Sequence, residues 1–252
     1  MIEIFILSLI QGITEFLPIS SSSHLIIISE FMSFENHKLE IDIGLHIGSF
    51  FAVTFFFRKD VFNFIKNRKL FFKILISTIP VMIVGYLLIK LNLIDQLRNI
   101  KIIGWTTLIF GILLFISDKC KLKKNINNNF NYKSAIFIGL FQIISLLPGV
   151  SRSGISITAA RFLNFKRFDA AKISFLLSIP TLGAVSMFGL KNLITSQDIN
   201  FSILNFISIL LSFLFSLITI KFFLKYIKNF SLNIFIAYRI LLGIVLLSIT
   251  YL

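Results

Sequence analysis

The stretch QGITEFLPISSSSH at 11–24 sets Gln11 and Glu15 one helical turn apart on one face, then brings a proline, four serines and a histidine. A second stretch, LLPGVSRSGISI at 146–157, carries Pro148, Ser151, Arg152, Ser153 and two glycines. Together these residue types fit phosphoryl transfer, which needs charge neutralisation, an in-line nucleophile and a proton carrier. Arg152 offers a planar fork of donors that matches phosphate oxygens. Ser21 or an activated water can supply the nucleophile, with His24 as base. Glu15 can orient His24 or hold a divalent cation, since Mg²⁺ keeps its waters and asks for few protein ligands. If Ser20 caps the helix that returns from the proline, free N–H groups and the positive dipole end point at the break, where an anion can sit. Ser151 and Ser153 repeat the device in the second stretch, and Gly154 lets the backbone approach a ligand. Gln11, Ser20, Ser22, Ser151, Ser153 and Gly154 are therefore the expected substrate contacts, around Glu15, Ser21, His24 and Arg152 as the reacting set.

These groups lie in apolar surroundings, where each ionisable side chain costs about 2.5–3.5 kcal/mol even on the lenient insertion scale. Three others share that setting. Asp42 and His46, four apart on one face, either hydrogen-bond each other structurally or support the site. Arg239, near the start of the last apolar run, is expected to snorkel to the interface or to form a structural pair.

Composition decides what kind of molecule must hold such a site. Of 252 residues 56% are hydrophobic, 14% are charged and 31 are Phe, and the mean hydropathy is +0.92. A soluble globular domain, a disordered chain and a collagen-like chain are all excluded. Cys120 is the single cysteine, so no internal disulfide or two-cysteine metal motif exists. The net charge of +14 does not indicate nucleic acid, because the basic residues form short clusters between apolar runs without a basic aromatic stripe. Met1–Leu9 has no basic n-region, and Gln11, Thr14 and Glu15 interrupt the first apolar run, so a cleavable leader is not expected. The reading is an all-α polytopic membrane protein, a single integral-membrane domain over 1–252.

Six apolar runs approach the roughly 20 residues needed to cross a bilayer. They centre on Asp42–Phe57, Ile74–Ile89, Ile102–Ser117, Ile173–Leu190, Phe201–Ile220 and Ile234–Leu252, the first three extending beyond these limits. Segments 2–32 and 134–165 are apolar at both ends but broken by Pro and serines. Both read as re-entrant hairpins, because broken backbone at membrane depth must be surrounded by protein or a watery cavity. Segments 58–73, 119–133, 161–172 and 221–228 hold eighteen basic residues, against four at Lys38, Arg98, Lys101 and Lys191. The rich segments are then cytoplasmic. Full double crossings by each hairpin would give the same parity.

Laid without a gap over Gly139–Gly154, Ser8–Ser23 pairs Gln11 with Gln142, Thr14 with Ser145, Ser20 with Ser151 and Ser22 with Ser153. Each half, 1–118 and 134–252, reads as a hairpin plus three spans. Three is odd, so the second copy is inverted, a plan that places sites at the midplane between broken helices.

At these residues the chain resembles the undecaprenyl-diphosphate phosphatase (bacitracin-resistance) family over nearly its whole length. The marks are the two Ser-rich motifs with LHIGSFFAV at 45–53, SFLLSIPTLGA at 174–184 and AYRILLG at 237–243. The resemblance implies a multi-pass enzyme of the bacterial plasma (inner) membrane that hydrolyses undecaprenyl diphosphate to the monophosphate and phosphate. That reaction recycles the lipid carrier for peptidoglycan and confers bacitracin resistance. It further implies a site open to the outer, periplasmic face and dependence on a divalent cation, Mg²⁺ or Ca²⁺. Glu15 matches the motif's second acidic position, Ser21 its reactive serine, His24 its histidine and Arg152 the second motif's arginine. Two positions depart. Gln11 stands at the first acidic position, leaving Glu15 to carry any metal role alone, and Ser23 stands where glycine often precedes the histidine. The same scaffold also suits a flippase for the lipid monophosphate, alone or in addition. A channel is weaker, with no ring of like charges, and an oligomer is compatible with the pattern.

Overall fold

Long apolar stretches become helices in hydrocarbon because only a helix satisfies its own backbone N–H and C=O groups within one segment. A computed structural model of the chain describes residues 1–32, 39–66, 68–91, 93, 97–195 and 199–251. In order come α1 (Ile2–Thr14), α2 (Ser21–Met32), α3 (Leu39–Phe56), α4 (Arg58–Lys66), α5 (Arg68–Lys90) and α6 (Ile100–Asp118). Then follow α7 (Ile126–Asn129), α8 (Tyr132–Ile143), a 3-10 turn (Ile144–Leu146), α9 (Arg152–Phe162), α10 (Arg167–Thr195), α11 (Ile199–Asn229) and α12 (Asn233–Tyr251). Among the described residues no strand forms beyond one isolated bridge, Lys124 with Phe165.

Each of the six expected spans centres on a helix, although Phe57 is a turn just past α3 and Leu252 lies outside the described residues. Among the described residues five helices are long and apolar enough to cross a bilayer, and α3 makes a sixth if its 76° bend into α4 is counted within one span. The two interrupted segments become pairs of short helices, α1 and α2 of 13 and 12 residues, α8 and α9 of 12 and 11. At about 1.5 Å per residue none of these reaches the roughly 30 Å of a hydrocarbon core. The ends of the second pair lie together: the Lys123 and Lys124 N–H groups donate to Asn164 O at 3.1 and 2.9 Å, and the Phe130 and Phe165 rings are 6.3 Å apart.

The basic clusters are less loop-like than their spacing implies. Lys221, Lys225 and Lys228 extend α11, and Arg58 opens α4. Arg161 is fully buried. Its guanidinium donates to Asp118 O at 3.1 Å, Lys121 O at 3.3 Å, and the Cys120 and Phe165 carbonyls. Arg167 grips the Asp118 carboxylate with two bonds of 2.7 and 2.9 Å. Carbonyls at the ends of α6 and α9 lack helical partners, and Arg161 supplies the donors. The side chains of Lys38, Lys66 and Lys191, counted in the charge pattern, lie outside the described residues.

Small residues let the long helices approach. Ser49 on α3 meets Ser212 and Ser216 on α11 at 3.2 and 3.0 Å. Gly44 faces Ser208 and Gly48 faces Ser212, so α3 and α11 run parallel. Ser77 on α5 donates to Ala135 O on α8 at 2.8 Å, and Gly85 faces Leu146, so α5 and α8 are parallel too. Helices α6 and α12 are antiparallel, with Gly111 against Arg239 and Gly104 against Leu247. A chain of ring contacts, Phe16–Phe175, Phe175–Phe223 and Phe223–Phe235, joins the first break to α10, α11 and α12.

Candidate active site

The two breaks supply the site, and the local sequence explains how. Pro18 interrupts the helix after Glu15 because it has no N–H to continue the ladder. The helices restart at Ser21 and Arg152, and the residue before each start, Ser20 and Ser151, has a positive φ of 75° and 70°. These are the serines that the gapless overlay pairs. A non-glycine residue held left-handed is strained by about 1–3 kcal/mol and persists only where surrounding contacts over-determine it. Ser151 caps α9, its Oγ accepting from Gly154 N–H at 3.1 Å. The Ser20 hydroxyl meets Ser23 Oγ at 3.0 Å and Ser22 Oγ at 3.4 Å, the latter matching the 3.1 Å contact of Ser151 with Ser153.

Glu15 is the centre of the cluster, 6% exposed. Its Oε1 accepts from Arg152 Nη2 at 2.7 Å. Its Oε2 accepts from Ser21 Oγ at 2.6 Å and from Gln11 Nε2 at 3.1 Å. Ser21 and Arg152, which occupy equivalent positions in the two overlaid motifs, thus converge on one carboxylate. Arg152 also donates from Nη1 to Thr181 Oγ1 on α10 at 3.3 Å. Among the described residues two of its five guanidinium N–H groups are engaged, leaving the rest for an incoming anion.

Other expected contacts are distributed unevenly. Ser22 is exposed at the start of α2. Ser153 is buried, donating to Leu17 O at 2.7 Å and so tying the second break to the first. The Gly154 N–H closes the Ser151 cap, so Ser153 and Gly154 build the site and do not present these groups to a ligand.

His24 does not meet Ser21. Its Nδ1 donates to Ser20 O at 2.6 Å, and its Nε2 meets the Tyr238 hydroxyl at 2.6 Å. Because a carbonyl only accepts, Nδ1 carries a proton, and in the neutral imidazole Nε2 accepts from Tyr238. The imidazole facing Glu15 belongs to His46, whose Nε2 stands 4.0 Å from Oε2. His46 Nδ1 donates to Asp42 O at 2.7 Å, a main-chain partner in place of the side-chain pairing that the spacing allowed.

Tyr238 and Thr181 were not singled out from sequence, although both lie in the motifs at 237–243 and 174–184. The residue beside Tyr238 departs further from expectation. Arg239 does not snorkel: it is fully buried, with main-chain carbonyls as partners. Among the described residues no three His, Cys, Asp or Glu side chains gather as a metal site.

Fold and site together define a polytopic helical membrane protein whose ionisable cluster is assembled between two broken helix pairs. The sequence model of the family described as bacitracin resistance protein BacA matches residues 4–245, and the chain belongs to that family. It is 52% identical over 252 residues to an undecaprenyl-diphosphatase of Pelagibacter ubique (strain HTCC1062), covering 99% of this chain and 98% of that protein. An undecaprenyl-diphosphatase of Jannaschia sp. (strain CCS1) is 39% identical, with 98% of each chain covered. One of Aliivibrio salmonicida (strain LFI1238) is 40% identical over 98% of this chain and 97% of its own.

Proposed function

We propose that this chain hydrolyses undecaprenyl diphosphate to undecaprenyl phosphate and inorganic phosphate at the Glu15 cluster, recycling a lipid carrier for peptidoglycan synthesis and conferring bacitracin resistance. The observation that carries the chemical assignment is the 2.6 Å bond from Ser21 Oγ to Glu15 Oε2. Glu15 takes the Ser21 proton as Oγ attacks the terminal phosphorus, and the bond to the bridging oxygen breaks, releasing the lipid monophosphate. Water then cleaves the Ser–O–P ester to give phosphate and return the serine. Arg152, with N–H groups to spare, and the first-turn amides of α2 and of α9 ahead of Gly154 stabilise the charge on the transferring group. His24 enters as a proton carrier only through Nε2, the nitrogen that now meets Tyr238.

A divalent cation, Mg²⁺ or Ca²⁺, fits the residues present. Among the described residues Gln11 Oε1 is a buried oxygen with no hydrogen-bond partner, adjacent to Glu15 through the amide's other arm. Glu15 and Gln11 would hold the ion, with substrate oxygens and water completing its oxygen shell. Bound there, it would neutralise diphosphate charge.

The site opens to the outer, periplasmic face of the inner membrane in this reading, and residues 1–118 and 134–252 are inverted repeats. The packing supports this: α1 pairs with α11 as α8 pairs with α5, while α3 with α10 and α6 with α12 pair corresponding helices. The basic residues on the side where α6 ends support a cytoplasmic reading of that side.

The test is phosphate release from a polyprenyl diphosphate by the purified full-length protein, with and without chelator, beside Ser21→Ala. Release that Ser21→Ala abolishes supports the assignment. An intact protein that moves the lipid monophosphate across vesicles but releases no phosphate is a flippase instead.

A further inference from the structure

A broken helix leaves carbonyls without partners, and at membrane depth no bulk water replaces them. Both breaks meet this problem with one side chain. Arg239 Nη1 donates to Pro18 O at 3.1 Å in the first break and to Val150 O at 3.0 Å in the second. Its Nη2 donates to Gly149 O at 2.9 Å, and its Nε to Thr107 O on α6 at 3.4 Å. In the gapless overlay Pro18 corresponds to Gly149 and Ile19 to Val150, so one guanidinium bridges matching points of the two motifs.

Nothing simpler accounts for the residue. It is fully buried, and among the described residues no carboxylate pairs with it. An uncompensated buried cation is among the most costly groups a membrane helix can carry. The surroundings are shaped for it: a Cβ at Gly111 would lie 3.0 Å from Arg239 Cβ, and one at Gly154 would lie 3.0 Å from Nη1. The charged end therefore rests against the first turn of α9, the turn that begins with Arg152.

We propose that Arg239 is a positioning residue that holds the two breaks in register, so that Ser21 from one and Arg152 from the other meet on Glu15. It touches none of the three. It acts through the main chain at Pro18, Gly149 and Val150, two or three residues before each helix restarts. A single ammonium cannot reach four carbonyls in three segments, so lysine retains the charge but not the register. The proposal rests on the reading of Glu15, Ser21 and Arg152 as the reacting cluster.

The experiment measures phosphate release from a polyprenyl diphosphate by full-length protein carrying Arg239→Lys or Gly111→Ala, with kcat and KM resolved. Thermal unfolding in detergent reports how much protein is folded. Arg239→Lys should lower kcat of the folded protein by about 10²-fold while KM stays within about threefold, as misplacement of reacting groups does. Gly111→Ala, which displaces Arg239 by a few tenths of an ångström and lies outside the cluster, should lower kcat by about tenfold with KM kept. It decides the matter alone if the lysine variant does not fold. A residue that only stabilises the bundle predicts a lower unfolding temperature with kcat unchanged, and that result overturns the proposal, as does a loss confined to KM. Ser21→Ala and Arg152→Lys measured alongside separate the two failures: if they are fully active the cluster is misassigned, whereas if they are inactive and Arg239→Lys is not, only the positioning role falls.

Discussion

Ser21 is held by a carboxylate and not by an imidazole, and this changes how its partners should couple. Glu15→Gln and Ser21→Ala should each lower turnover by at least about 10²-fold, the low end for a positioned proton carrier. Their double variant should be little worse than the poorer single one, because the two act as a unit. His24, bonded to Ser20 O and Tyr238, should combine with Ser21→Ala close to additively on a free-energy scale. A Ser21–His24 double variant no worse than either single one would restore the histidine as the serine's base. Arg152→Lys should also lose about 10²-fold, since a point donor cannot keep both Glu15 and phosphate oxygens on one planar group. Wild-type turnover in that variant would reduce Arg152 to a structural cation. Ser21 as a cap alone predicts a stability loss of about 1 kcal/mol and unchanged turnover.

The elements deliver these residues through their ends rather than their faces. Each pair of short helices stops and restarts inside the bundle, and the break is where the backbone is most constrained. Gly149 has a φ of +92°, and a Cβ there would lie 1.9 Å from Thr106 Oγ1 and 2.9 Å from Ile103 O. Gly149→Ala should therefore cost about 2 kcal/mol or more, combining a left-handed backbone with a clash against α6. Gly85→Ala is the control: mid-helix, with a new Cβ only 3.4 Å from Leu146 Cδ2, it should be neutral or gain up to about 1 kcal/mol. Reversible unfolding in detergent reads both. Equal stabilities would mean that the second break is looser than its backbone indicates.

The whole molecule is built with its large apolar side chains on both sides of the wall. Phe16, Phe175 and Phe223 are buried, while Phe51, Phe55, Phe206 and Phe222 are half exposed or more. Lipid accepts what water would not, which is how one chain accommodates 31 Phe. Orientation is tested by labelling in intact cells with a membrane-impermeant thiol reagent, in a Cys120→Ser background. Cysteines replacing Lys69 or Lys123 should stay unlabelled, and one replacing Arg98 should react. Labelling of the lysine-rich side from outside would invert the protein and turn the first hairpin toward the cytoplasm.

The apolar helices, membrane character and the two breaks were legible in the chain because each is local. A run of apolar residues is a span wherever it lies, and a proline followed by serines stops and restarts a helix whatever surrounds it. The near identity of types at Gln11 and Gln142, or Ser20 and Ser151, marked the two breaks as alike, and both serines share the same left-handed backbone. Residue types and spacing named the candidate residues, Glu15, Ser21, His24 and Arg152, and the resemblance to a family matched each to a motif position. Pairings across the bundle were not legible. That Ser21 meets Glu15 while His24 turns to Tyr238, 214 residues away, depends on how α12 crosses the first break. Arg239 is the clearest instance. One-dimensional position put it near a membrane surface, but α12 packs against α6 at Gly104 and Gly111 so that its side chain ends between both breaks. Apolar periodicity records which residues avoid water; it does not record which orphaned carbonyl a buried guanidinium will find, and only the packed structure decides that.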